Sequence, residues 1–267
     1  VAEGRLWSVD ELLALKERMG RHGLSFYAVE NFDPGLWSDV LLGGPRRDEQ
    51  LAQVAQQIRN VGAAGIPVFG YNFSLAGVAG RITTNNARGG AQSVGMAGIT
   101  EQVSAPMSKS MVWNMVIDAT AQGLHEKTTP EELWRRCAHF LRTIVPVAEA
   151  AGVRLAAHPD DPPLPEVRGQ PRLIYQPRYF QRLLDIVDSP SNSLDLCLGT
   201  VAEMTEGSVL ETVESCARQQ RIAYVHVRNV RGKVPYYEET FIDEGETDMY
   251  RVIEILHRNG FDGVLIP

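Results

Sequence analysis

RLAAHPDD (154–161), NSLDLCLG (192–199) and AYVHVRN (223–229) decide the fold. Each is a short apolar run with a polar side chain near its C-terminal end. Such runs read as strands, and two amphipathic patterns separate them, PRYFQRLLDIVDS (177–189) and SVLETVESCARQQ (208–220). Strands alternating with helices favour a parallel sheet with right-handed crossovers.

The alternation extends outward in both directions. SVDELLALKERMGRHG (8–23) opens with Ser8 and Glu11 at capping-box spacing and leads to a strand over 24–30. A helix over 46–65 precedes the strand IPVFGYNF (66–73), and Thr129, Pro130 and Glu132 open the helix that feeds residue 154. Downstream, a strand is expected within YYEETFID (236–243), then a helix over 247–260 and the strand GVLIP (263–267).

Seven strands are therefore expected, with the first of eight lying before residue 1. Eight such units close a (β/α)8 TIM barrel, whereas seven with an open edge make a doubly wound sheet. The barrel is favoured because every candidate ligand lies at a strand's C-terminal end, where barrel active sites are built. Residues 1–267 read as a single barrel domain, incomplete at both ends. Residues 74–106 break the rhythm with Gly, Ser, Thr and Asn, and are expected to form a long lid loop over the same face.

Composition narrows the function classes. A net charge of −7 argues against a nucleic-acid surface, which needs clustered Lys and Arg. No apolar run approaches the roughly 20 residues that span a bilayer. Three cysteines without paired spacing fit a reducing cytoplasm better than a disulfide framework. P-loop, GxGxxG, GxSxG and HExxH patterns are absent, so nucleotide binding and Ser–His hydrolysis have little support. A small-molecule substrate is the expected partner, and a homo-oligomer stays open.

His158, Cys197 and His226 form a set that can hold a divalent metal. A thiolate with two imidazoles suits Zn, Fe(II) or Mn(II) better than Ca or Mg. Side-chain alternation places Asp195 with Cys197, His226 with Arg228, and His158 with Asp160 if that strand continues. Glu30, Asp195, Glu244 or a residue after Pro267 are the candidates for a fourth ligand. Arg228 is a candidate clamp for a substrate carboxylate, or else pairs with a neighbouring Asp. Arg81 and Arg88 could reach substrate from the loop, and Asn72 could orient a sugar hydroxyl or cap a turn. DEGETD (243–248) is acidic enough for a metal but is better explained as the cap of the helix that follows.

AAHPDDPP (156–163), DLCLGT (195–200), VHVRNV (225–230) and FIDEGETDM (241–249), in that order and spacing, resemble the D-mannonate dehydratases of hexuronate catabolism. YNFSLAGVAGR (71–81) is similar to a further segment of that family. The resemblance spans most of the chain. It implies a metal-dependent barrel lyase that converts D-mannonate to 2-keto-3-deoxy-D-gluconate, with Mn(II) or Fe(II) held by His158, Cys197, His226 and an Asp. That Asp and the family's acid–base His and Tyr would follow Pro267, so no catalytic residue is named. The loop 82–104 departs from the family pattern, which leaves open a paralogue acting on another sugar acid. The alternatives are a metal-dependent sugar isomerase or epimerase, and a non-catalytic metal-binding barrel.

Overall fold

The computed structural model describes residues 5–267. Six strands form one parallel sheet in the order Ala28–Val29, Val68–Tyr71, Arg154–Ala157, Asn192–Cys197, Ile222–His226 and Val264–Ile266. Spatial order equals chain order. A doubly wound sheet reverses direction at a switch point, and this one does not, so the strands form a wall of an α/β (β/α)8 barrel.

Helices Arg47–Ala63, Pro130–Ala151, Arg178–Leu184, Val209–Arg218 and Met249–Arg258 fill the successive crossovers. Their ends are set locally. Ser8 and Glu11 form the expected capping box before Val9–Gly20, and Asp248 accepts from the Arg251 amide. Thr129 accepts from the Glu132 amide ahead of Pro130, at the start of the longest helix. Thr129→Ala is accordingly expected to lower stability by about 1 kcal/mol; an unchanged urea midpoint would show that the cap contributes nothing.

Beneath the sheet, Phe32, Trp37, Phe69, Tyr71, Phe73 and Phe140 pack in stacked, tilted and edge contacts, with ring centroids from 4.3 to 6.5 Å apart. Two of these rings come from a segment with no expected element. The helix Pro34–Leu42, capped by Asp33, carries Trp37, and Phe32 lies just before it. No helix among the described residues is long and apolar enough to cross a membrane.

Two expectations need correction. The strand in 236–243 exists as Tyr236–Thr240, but it is not a barrel strand. It pairs antiparallel with Asn229–Lys233 on one side and Ala91–Ala97 on the other, and Ala91–Ala97 pairs in turn with Ile82–Ala87. The barrel sheet thus holds six of the described strands rather than seven. Within the loop expected over 74–106, residues 74–81 stay irregular, but the same pairing folds 82–97 into a β-hairpin, turned at Gly89 and Gly90 with φ of 71° and 76°. Its Thr and Asn residues are mostly exposed, so the sheet lacks the apolar alternation that marks a strand with one buried face.

Candidate metal centre

Three adjacent barrel strands deliver the expected ligands to one place. Cys197 and His226 end their strands as directly paired residues. His158 follows Arg154–Ala157 and extends its ladder, donating its amide to the Tyr71 carbonyl at 2.8 Å. One donor atom from each of His158, Cys197 and His226 lies within 4.8 Å of the others. The imidazoles of His158 and His226 are 5.4 Å apart, centroid to centroid.

Second contacts fix the donors. His158 Nδ1 bonds the Pro159 carbonyl at 2.6 Å, which leaves Nε2 for an ion. His226 Nε2 lies 3.6 Å from buried Asp195 and 3.9 Å from Glu30, so two of the four candidate fourth ligands stand at the cluster. Glu244 instead accepts from the Arg88 amide.

The electrostatics suit a cation. Burial by itself would raise the Cys197 thiol, but Arg228 and hydrogen bonds to His158 and His226 outweigh it and hold the thiol well below its ordinary value. Burial would lower His158, yet the Asp195 carboxylate and Cys197 sulfur prevail and push it up to about 10. Burial raises Asp195 to about 6 against the pull of the two histidines. The thiolate and the carboxylate thus bias both imidazoles toward their protonated forms. A divalent ion held by these donors would release those protons. Donor types, spacing and charge all fit a metal.

Arg228 lies beside this centre, and its partners come from several elements. It donates to Glu239 at 3.0 Å, Asp161 at 3.1 Å, Thr200 at 3.0 Å and Glu203 at 2.9 Å. Desolvation and the neighbouring Asp161 raise the fully buried Glu203 carboxyl well above its usual range. Asn72 spends its amide on the backbone, donating to the carbonyls of His158 and Pro159 at 3.3 Å and accepting from Trp113 Nε1. It braces the turn that carries His158. Arg81 donates from Nη2 to Asp161 at 2.8 Å, and its side chain stays 38% exposed at the cavity. Arg88 does not line the cavity; it pairs with Asp243 and stacks on Phe241, which does.

The cavity over these groups measures about 720 Å³ and is lined by Glu30, Asn72, Arg81, His158, Cys197 and His226 among others. Asp160 does not share it. The chain turns after His158, and Asp160 is buried on Arg172 and the amides of Leu173 and Ile174. The sequence reading missed Asp161, Arg172, Thr200, Glu203 and Glu239. The doubled Asp after His158, and the placement of Thr200 and Glu203 three and six residues beyond Cys197, were the available signals.

The sequence matches the D-mannonate dehydratase (UxuA) family over residues 1–267. The chain belongs to that family. A mannonate dehydratase of Lactococcus lactis subsp. lactis (strain IL1403) is 30% identical over 297 residues, covering 100% of this chain and 79% of its own. The crystal structure of mannonate dehydratase from Streptococcus suis serotype 2 superposes with a TM-score of 0.83 at 30% identity, covering 100% of this chain and 73% of that one. The D-psicose 3-epimerase of Clostridium cellulolyticum H10 shares the fold alone, at 14% identity and a TM-score of 0.59, with coverage of 97% and 69%. In this dehydratase-family chain each motif that carried the resemblance contributes to the cavity lining, through Asn72, His158, Cys197, His226 and Phe241.

Proposed function

We propose that this protein is a hydro-lyase that converts D-mannonate to 2-keto-3-deoxy-D-gluconate and water, using a divalent metal held by His158, Cys197 and His226. The full-length match to mannonate dehydratases carries the reading. The clustered donors at the cavity support the metal. Two imidazoles and a thiolate suit Zn, Fe(II) or Mn(II) better than the hard ions Ca and Mg, and the family resemblance points among these to Mn(II) or Fe(II). Free, buried cysteines accord with a cytoplasmic location.

Dehydration of a sugar acid removes the proton α to the carboxylate and expels the C3 hydroxyl. A bound metal supplies Lewis-acid stabilisation of charge developing on substrate oxygens. The chain's residues do the positioning. Among the described residues Arg81 makes a side-chain hydrogen bond only through Nη2, so its Nε and Nη1 hydrogens serve the substrate carboxylate. Arg228, engaged by three carboxyl groups, acts as a fixed positive charge beside Cys197. Asn72 holds the His158 turn. Val78, Trp113 and Ile242 give the cavity an apolar wall against which the carbon chain can pack.

The test is turnover of D-mannonate by the full-length protein, apo and loaded with Mn(II), following the 2-keto-3-deoxy acid. Product is expected only with metal. Metal binding without turnover of D-mannonate, or epimerisation of a ketose without loss of water, would overturn the assignment.

A further inference from the structure

Thr200 has no place in the reading above, yet it touches both Cys197 and Arg228. It lies in the helix Leu198–Glu203, which begins directly after Cys197, and the three-residue spacing brings its side chain back over that residue. It is fully buried. Its Oγ1 is 3.2 Å from Cys197 Sγ and accepts from Arg228 Nη2 at 3.0 Å.

The proton direction follows from the inventory of donors. A guanidinium can only donate, so Arg228 occupies a lone pair of the hydroxyl oxygen. The hydroxyl's single hydrogen is then free to point at the sulfur. A hydroxyl that accepts from a cation is polarised and becomes a stronger donor.

The backbone is shaped for this relay. A Cβ on Gly199 would sit 2.1 Å from Arg228 Nε and 2.8 Å from Arg228 Cγ. The guanidinium reaches Thr200 because residue 199 has no side chain. Asp161, Glu203 and Glu239 then hold it from the other directions.

We propose that Thr200 is a positioning residue whose hydroxyl, oriented by Arg228 across Gly199, hydrogen-bonds the Cys197 sulfur and limits how strongly that sulfur donates to the metal. The inference rests on Cys197 being a metal ligand. Hydrogen bonds to a ligand sulfur withdraw electron density from it, and such outer contacts tune a metal site as surely as the ligands do.

Cobalt(II) provides a readout independent of turnover, because a thiolate bound to it gives a charge-transfer absorption band. The full chain is loaded with Co(II) as wild type, Thr200→Val and Thr200→Ser, and each variant's melting curve confirms folding. Thr200→Val removes the hydroxyl at nearly constant volume and is expected to shift the band to longer wavelength, because the sulfur becomes a stronger donor. Thr200→Ser keeps the hydroxyl and is expected to absorb where the wild type does. Thr200→Val absorbing at the wild-type wavelength would overturn the inference while leaving the metal site intact. A wild type with bound Co(II) but no thiolate band would remove Cys197 from the metal shell and the inference with it. If Thr200→Val does not fold, Gly199→Ala displaces the guanidinium without touching Thr200 or Cys197. Its band is expected to move in the same direction, and an unmoved band would overturn the inference.

Discussion

Cys197→Ala is expected to yield a folded protein that neither retains a divalent ion nor dehydrates D-mannonate. The side chain is only 1% exposed, but its sulfur stands between two imidazoles rather than deep in the apolar core. Its removal therefore costs little packing. It takes away the one anionic donor of the three, and leaves Asp195 as the counter-charge beside His158 and His226. A Lewis-acid contribution of about 4 kcal/mol corresponds to roughly a thousandfold in rate, so turnover should fall by at least that factor. Metal content after gel filtration and kcat on D-mannonate check this together. Full metal stoichiometry with undiminished turnover would take Cys197 out of the site. His226→Ala should behave in the same way, since His226 is the directly paired neighbour of Cys197 on the adjacent strand.

The clustering of His158, Cys197 and His226 was legible in the sequence because barrel topology brings them together whatever the details of packing. Parallel strands joined by helices all end on one face, so His158, Cys197 and His226 needed only matching depth on neighbouring strands. Their surroundings were not legible, because pairing partners distant in the chain decide them. Period-two alternation marks Tyr236–Thr240 as a strand but says nothing of which sheet receives it. Ala91–Ala97 does, and that strand, with a single β-branched residue and an internal Gly95, carries too little strand signal to be recognised alone. The apolar run 222–230 likewise hides a change of partner, since the barrel strand ends at His226 and a new antiparallel pairing starts at Asn229. Arg228 falls in the gap. Alternation placed it on the His226 face, but its carboxyl partners come from the turn after His158, the helix after Cys197 and the antiparallel sheet. Asn72 was visible as a strand-end amide, whereas its use as a brace for His158 depends on a strand more than one helix away.

Arg172→Met is expected to be among the most destabilising single changes in the chain. Arg172 and Asp160 are 1% and 3% exposed and pair at 3.1 Å. The guanidinium also donates to Ser74 Oγ at 2.5 Å and to the Gly77 carbonyl at 2.8 Å. The other Asp160 oxygen accepts from the amides of Leu173 and Ile174, each at 2.8 Å. Removing one partner of such a buried pair strands the other charge, which costs about 3–5 kcal/mol and should lower the melting temperature by roughly 10 °C. The double variant Arg172→Met with Asp160→Asn should cost less than the sum of the two single changes, because no unpaired charge remains. Urea midpoints for the three variants decide the point, and additive losses would mean that the pair is not coupled. The consequence reaches the site. Arg172 ties the segment from Ser74 to Gly77, which leads to Arg81, to the turn that carries Asp161, and Asp161 is the residue Arg81 pairs with. At temperatures where the variant is still folded, KM for D-mannonate should therefore rise more than kcat falls. Loosening this tie displaces the Arg81 guanidinium proposed to bind the carboxylate, while His158, Cys197 and His226 keep the strand ends that place them.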